Sequence, residues 1–255
     1  MKILQITDPH LYGAASARLR GVQTDASLRA VLDAASVHDN DYTAILVTGD
    51  LVQDDIGGYL RFRSLLGHLR TPVLCIPGNH DEPQAMQREI NVSPFRFCGA
   101  HEFDAWNFVM LNSYDPGCVG GRLSGAELER LDASLTASNH HAMVCLHHHP
   151  IAAGSRWLDT SGLANAAEFW RVIEAHPHVR AVSWGHVHQA YEARRGTVQM
   201  FATPSTGAQF LPGSDRYAVD SRPPAYRTFE LHADGRIETK VHWVESMPMQ
   251  RAAAQ

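Results

Sequence analysis

The sequence predicts an α/β fold in which a parallel sheet with helical crossovers is completed by a second sheet containing antiparallel strands. Between Lys2 and Ile76, short apolar strands alternate with amphipathic helices in two strand–helix–strand passes. Such passes join parallel strands by right-handed crossovers. Beyond Gly185 four segments instead alternate apolar and polar residues between tight turns, as antiparallel strands do. At 255 residues and 44% hydrophobic, the chain can bury a large core. A single domain is expected over 1–246, with a flexible tail over 247–255.

Lys2–Thr7 reads as a strand that stops at Asp8-Pro9-His10, because proline brings no N–H to a central ladder. Thr24–Val37 reads as a helix capped by Thr24, with Leu28, Val31, Leu32 and Ala35 on one face. Ala44–Thr48 is an apolar strand ending at Gly49-Asp50. Gly58–Leu69 gives a second helix, carried by Leu60, Leu65, Leu66 and Leu69. Pro72–Ile76 is a short buried strand, and Pro77-Gly78 turns it into Asn79-His80-Asp81. Asn107–Asn112 is a further strand, followed by turns at Asp115-Pro116-Gly117 and Gly120-Gly121. Ser124 and Glu127 form a capping box for a helix with Leu128, Leu131 and Leu135 on one face. Ala142–Leu146 is a strand ending at His147-His148-His149-Pro150. A helix over 164–175 leads to the strand Val179–Trp184, which ends at Gly185-His186-Val187-His188. The alternating segments 189–194, 198–202, 226–232 and 236–244 are expected to complete the second sheet.

Composition narrows the function. The net charge is −5 with no cluster of Lys and Arg, which argues against polymeric nucleic acid as a partner. No apolar run reaches the roughly 18 residues of a membrane span. The opening stretch, Lys2 followed by Ile3–Thr7, is too soon polar for a signal peptide, so a cytoplasmic location is expected. Four cysteines show no CxxC spacing; Cys75 and Cys145 fall inside strands and read as buried thiols. Histidine is the unusual residue, with 16 copies, many beside Asp, Asn, Gly or another His.

Five strands end in polar groups: Asp8-x-His10, Gly49-Asp50, Gly78-Asn79-His80, His147, and Gly185-His186-x-His188. Parallel strands of one sheet present their C-terminal ends at one edge, so these groups are expected to converge. Each alone is equally a turn or a helix cap; five together outweigh that reading. Carboxylates and an amide with imidazoles suit Mn, Fe, Zn or Co rather than Ca or a thiolate zinc site. Seven candidate ligands exceed the need of one ion. Two ions about 3.5–4 Å apart that share a carboxylate would use them all, lower the pKa of a shared water and clamp a phosphate oxygen. That points to phosphoester hydrolysis.

The order of these blocks resembles the five-block pattern of the calcineurin-like metallophosphoesterases, and within them the bacterial class III 3′,5′-cyclic AMP phosphodiesterases. Leu4-Gln5-Ile6-Thr7-Asp8, Leu146-His147-His148-His149-Pro150, Ala202–Thr206 and Arg227–Gly235 are similar to that subfamily too. The resemblance implies an αββα sandwich, two mixed β-sheets packed face to face with helices outside. It implies a first ion on Asp8, His10, Asp50 and His188, and a second on Asp50, Asn79, His147 and His186, with Asp50 as the bridge. Fe and Mn are the favoured metals, with Zn or Co as alternatives. His148 or His149 replaces His147 if the strand ends later. His80 would face the scissile phosphate, and His10, Asp50, Asn79, His80 and His188 would contact the substrate, with Asp50 and His80 as catalytic residues. Asp81 would either orient His80 or cap the following helix.

The implied reaction is hydrolysis of 3′,5′-cyclic AMP to 5′-AMP by a metal-activated hydroxide. The rivals are the same chemistry on a glycerophosphodiester, a 2′,3′-cyclic nucleotide or a phosphomonoester, and a non-catalytic scaffold on this fold. A small phosphodiester is thus the expected partner; the oligomeric state, a homodimer among the options, is left open. Asp54 and Asp55 read as helix caps, and the tryptophans as core. His140, His141, His176 and His178 read as loop residues. Ser205, Thr206, Gln209 and Phe210 are expected to be exposed together in a loop bordering the nucleotide pocket.

Overall fold

The computed structural model describes residues 1–37 and 41–245, so residue 246 and the tail assigned to 247–255 lie outside the described residues. The chain opens with β1 (Lys2–Ile6), a ribbon of β2 (Arg18–Leu19) and β3 (Val22–Gln23), and α1 (Thr24–Ala34). Next come β4 (Ala44–Thr48), α2 (Gly57–Leu66), β5 (Val73–Ile76), α3 (Pro83–Ile90) and β6 (Phe95–Phe97). β7 (Gly99–Phe103) and β8 (Trp106–Met110) lead to α4 (Gly125–Thr136) and β9 (His141–Cys145). After these follow α5 (Arg156–Asp159), α6 (Ala166–Ala175), β10 (Val179–Trp184), β11 (Tyr191–Arg195) and β12 (Val198–Ala202). A second ribbon, β13 (Gln209–Phe210) with β14 (Val219–Asp220), precedes the hairpin of β15 (Ala225–Leu231) and β16 (Ile237–Trp243).

Two six-stranded mixed sheets result, in the orders β16-β15-β1-β4-β5-β6 and β11-β12-β10-β9-β8-β7. β1, β4, β5 and β6 run parallel, as do β8, β9, β10 and β12; the outer strands β15, β16, β7 and β11 pair antiparallel. The four C-terminal segments therefore do not all complete the second sheet. β11 and β12 join it, but β15 returns beside β1, with Ile3 opposite Phe229, and brings β16 with it. Alternation marks a strand with one buried face; it carries no information about which sheet the strand joins.

Three apolar cores make the layers. Leu4, Ile6, Ile45 and Val47 pack outward against Leu28, Val31, Phe62 and Leu66 of α1 and α2. On the far side Val144, Val182 and Met200 pack against Leu131, Leu135, Phe169 and Ile173 of α4 and α6. Between the sheets lie Ile3, Leu46, Leu74, Phe108, Met143, Ala181, Phe201 and Phe229. The order is helix, sheet, sheet, helix.

Local readings differ in places. Gln23, not Thr24, stands at the N-cap of α1 and makes no side-chain cap. Leu60, expected on the buried face of α2, is 58% exposed. Ser124 Oγ accepts from Glu127 N at 3.1 Å, but the Glu127 carboxylate turns to Asn112 N at 2.6 Å, so the capping box is half formed. α3, β6 and β7 are too short or too polar to have stood out in the sequence.

Polar groups lock the two sheets in register near the functional edge. Gln5 Nε2 donates to Thr48 Oγ1 at 2.9 Å, while its Oε1 accepts from Ser183 Oγ and Thr203 Oγ1, both at 2.8 Å. Buried Arg227 on β15 spans the gap to Glu192 on β11 at 2.6 Å and donates to Ala202 O at 3.0 Å. Buried hydrogen bonds between the sheets favour one arrangement over neighbouring ones.

Candidate active site

All seven predicted ligands come together, though not on one sheet. Asp8, Asp50 and Asn79 follow β1, β4 and β5 of the first sheet; His147 and His186 follow β9 and β10 of the second. The convergence thus depends on the two sheets being stacked with their C-terminal edges at the same end. Each strand must turn at once, and the backbone shows it. Asp8, His10, Asp50, His186 and His188 all adopt positive φ, between +46° and +65°. A non-glycine residue held there costs on the order of 1–3 kcal/mol and persists only where the surroundings over-determine it. Two glycines make room. A Cβ on Gly78 would sit 2.2 Å from Asp50 Oδ1, and one on Gly185 would sit 2.1 Å from Thr7 Oγ1 and 2.7 Å from Asp8 Oδ2.

Two sets of donor atoms meet at Asp50. On one side, His188 Nε2 lies 3.2 Å from both Asp8 Oδ1 and His10 Nε2, and His10 Nε2 lies 3.7 Å from Asp50 Oδ2. On the other, His147 Nε2 lies 3.4 Å from the same Asp50 Oδ2, 3.3 Å from Asn79 Oδ1 and 3.2 Å from His186 Nδ1. Bonds of about 2.0–2.2 Å to a common ion would separate ligand atoms by roughly 3–3.5 Å.

Second contacts fix the tautomers and test whether a cation fits. Thr48 O accepts from His147 Nδ1 at 2.8 Å, and Ala208 O accepts from His188 Nδ1 at 2.7 Å, turning both Nε2 atoms toward the ion positions. Ser161 Oγ spends its proton on Leu158 O, so it accepts from His186 Nε2 at 3.0 Å and leaves Nδ1 bare. His147 Nε2 and His186 Nδ1 therefore face each other across 3.2 Å, beside two carboxylates, and in the metal-free protein a proton on His147 Nε2 sits between them. His188 Nε2 faces His10 Nε2 at 3.2 Å, and His10 Nδ1 is buried without a partner. Imidazole nitrogens and carboxylate oxygens converging in this way fit metal ions in both positions.

The electrostatics agree. Burial opposes ionisation of Asp8 and Asp50, yet His188 holds Asp8 below the usual carboxylate range, and His147 holds Asp50 well below it. Burial pulls His10 down to about 3, and burial with His148 alongside keeps His186 well below its ordinary value. Burial would also lower His147, but the Asp50 carboxylate outweighs it and lifts the imidazole to about 9.

His80 stands at the cleft, edge-on to His10 with ring centroids 5.3 Å apart. Its partner is not Asp81. Asp54 Oδ2 at 3.0 Å and Gln53 Nε2 at 2.8 Å both meet His80 Nδ1, which leaves Nε2 for the cleft. Asp81 instead accepts from Gly78 N at 2.8 Å, Leu51 N at 3.1 Å, Val52 N at 3.3 Å and Tyr59 Oη at 3.0 Å, tying together the loops after β4 and β5. Nor does Asp81 cap α3: Glu82 does, accepting from Gln84 N and Ala85 N. Neither Asp54 nor Asp55 stands at the N-cap of α2, which is Ile56, although Asp55 Oδ1 accepts from Gly57 N at 2.9 Å. His148 is anchored by Ser113 Oγ at 2.8 Å and Val119 O at 3.2 Å, and His149 stacks on His186 with centroids 5.7 Å apart.

Ser205, Thr206, Gln209 and Phe210 are buried, contrary to expectation. Gln209 clamps its own loop, donating to Ser205 O at 2.7 Å and Pro223 O at 3.1 Å, and Ser205 Oγ donates to Asp8 O at 2.8 Å. Only Phe210 reaches the cleft, which His10, Asp50, Asn79, His80, His186 and His188 line together with Arg20 and Trp157. Trp106, Trp170 and Trp184 are core as expected; Trp157 and Trp243 are only half-buried. Asp54, Arg20 and Trp157 carried no signal beyond residue type, since none follows one of the apolar strands marked in the sequence.

Known proteins resemble this chain along most of its length. A 3′,5′-cyclic adenosine monophosphate phosphodiesterase of Escherichia coli K12 is 39% identical over 249 residues, covering 95% of this chain and 89% of its own length. Its counterpart in Pseudomonas aeruginosa is 36% identical over 247 residues, covering 96% and 90%. A 3′,5′-cyclic-nucleotide phosphodiesterase of Nostoc sp. is 35% identical over 253 residues, covering 98% and 95%. Among solved structures, a dimetal phosphatase from Danio rerio superposes with a TM-score of 0.65 at 16% identity, covering 96% of this chain and 99% of that one. No helix among the described residues is long and apolar enough to cross a membrane. The calcineurin-like phosphoesterase profile matches residues 1–190, a span that holds every strand end of the cleft, and the chain belongs to that family of hydrolases.

Proposed function

We propose that the protein hydrolyses 3′,5′-cyclic AMP to 5′-AMP at a dinuclear metal centre. One observation carries the reading: Asp50 Oδ2 lies between His10 Nε2 at 3.7 Å and His147 Nε2 at 3.4 Å, the position of a bridging carboxylate. The first ion would be held by Asp8, His10, Asp50 and His188, and the second by Asp50, Asn79, His147 and His186. Iron or manganese suits the set best, with zinc or cobalt as alternatives. Bound there, the ions would supply a low-pKa water and neutralise charge on the phosphate oxygens. The near full-length likeness to enzymes named for cyclic AMP supports the substrate.

The protein's own groups divide the remaining work. Water oxygen bonds to phosphorus as the bond to the 3′-oxygen breaks, and that oxygen needs a proton. His80 Nε2 delivers it, with Asp54 and Gln53 orienting the ring through Nδ1. Thr48 O and Ala208 O keep His147 and His188 in the tautomers that point Nε2 inward. The backbone N–H of His80 donates to Asp50 Oδ1 at 2.9 Å, which leaves Oδ2 for the bridge. Metal analysis tests the assignment. Asp50→Ala is expected to bind less than one ion per chain and to lose more than about a hundredfold in turnover. Two tightly held ions in that variant would sink the bridging role.

A further inference from the structure

We propose that Arg20, Trp157 and Phe210 form the subsite that receives the heterocyclic base of the nucleotide. The inference rests on the cyclic-nucleotide reading above and adds what recognises the organic half of the diester.

Arg20 sits at the tip of the β2–β3 ribbon. Its φ is +51° and that of Gly21 is +83°, so both central residues of this two-residue turn are left-handed. Such turns prefer Asn-Gly, and a long side chain at the first position is uncommon. Nothing within the ribbon uses this side chain. It crosses to the β13–β14 ribbon, where Nε donates to Tyr217 Oη at 2.7 Å and the guanidinium lies 4.9 Å from the centre of the Phe210 ring. Phe210 in turn stacks on His188, with centroids 4.2 Å apart and planes 16° from parallel. Arg20 is therefore held one aromatic ring away from a predicted metal ligand, a place for the nucleoside rather than for the phosphorus.

Trp157, on α5, closes the other wall. It packs edge-on against Phe210 at 5.0 Å and against Tyr217 at 5.3 Å. Arg20 Nη1 and Trp157 Nε1 are both buried with no hydrogen-bond partner, and both residues line the cleft. Two unpartnered donors on aromatic walls match a flat ring that offers nitrogen acceptors and a π face. A phosphate oxygen could satisfy Arg20, but it would have no use for the indole or the aromatic walls.

The test compares 3′,5′-cyclic AMP with 1-O-methylribose 3′,5′-cyclic phosphate, which keeps the reacting ring and lacks the base. Arg20→Gly removes the side chain while suiting the left-handed turn, and Trp157→Phe keeps the wall while removing the N–H. Each is expected to lower the ratio of kcat/KM for cyclic AMP over the base-free ester, by tenfold or more for Arg20→Gly and severalfold for Trp157→Phe, through KM for cyclic AMP. An unchanged ratio, or equal losses on both esters, overturns the subsite and leaves the substrate reading standing. Wild-type protein that hydrolyses the base-free ester but not cyclic AMP overturns both.

Discussion

At the scale of single residues, the roles turn on which side-chain atom faces which neighbour. Asp81 follows His80 in the chain yet serves the backbone of Leu51, Val52 and Gly78, while Asp54, 26 residues away, holds His80. A sequence shows the first kind of adjacency and conceals the second. Asp54→Ala is expected to lower kcat by about 10–100-fold with metal content and KM for cyclic AMP held, and Asp54→Glu to restore part of it. An equal fall in Asp54→Glu would argue for a merely structural carboxylate. The inward-facing Nε2 of His147 gives a second expectation. His147 is lifted from 6.5 to about 9 in the metal-free protein. A raised folded pKa stabilises the metal-free fold fully below the unfolded value, and that stability is lost as pH rises through about 9. Metal must displace this proton. Loading near pH 7.5 should therefore release about one proton per chain, and apparent affinity should rise with pH up to about 9. Calorimetric titration in buffers of different ionisation enthalpy measures the release, and none at all would contradict the raised pKa of His147.

At the scale of elements, the chain was legible wherever an apolar run was short and fully buried. Ala44–Thr48, Val179–Trp184 and Val198–Ala202 have the bounds their sequences suggest, because every neighbour on both sides is a turn or a polar break. Partner choice was not legible. β15 and β16 alternate as edge strands of either sheet would, and only the pairing of Phe229 with Ile3 decides the matter. The loop after β12 misled for a related reason: its polar residues suggested solvent, but they satisfy backbone groups in the interior. Gln209 alone serves Ser205 N at 3.0 Å, Ser205 O at 2.7 Å and Pro223 O at 3.1 Å. Gln209→Ala is expected to cost about 2 kcal/mol in urea unfolding, since buried backbone groups lose their partners. A change below about 0.5 kcal/mol would mean that water replaces the amide.

At the scale of the whole molecule, the site exists because two sheets stack with the ends of their inner strands together. Asp8, Asp50 and Asn79 stand on one sheet and His147, His186 and His188 on the other, with the Gln5 network and Arg227 fixing the register between them. The ligand types and their order along the chain already pointed to two ions and a phosphoester. The residues that contact the rest of the substrate lay hidden, because Arg20 and Trp157 arrive from a ribbon tip and a one-turn helix. Chemistry at phosphorus was readable from strand ends, and substrate selection was not. The most direct measurement is therefore turnover by protein with its metals quantified, across cyclic AMP, 2′,3′-cyclic AMP, a glycerophosphodiester and a phosphomonoester. With two ions per chain, 3′,5′-cyclic AMP is expected to give the highest kcat/KM, with 5′-AMP as product, and activity should vanish on chelation. A higher kcat/KM on the monoester, or turnover of cyclic AMP that survives complete metal removal, would contradict the assignment.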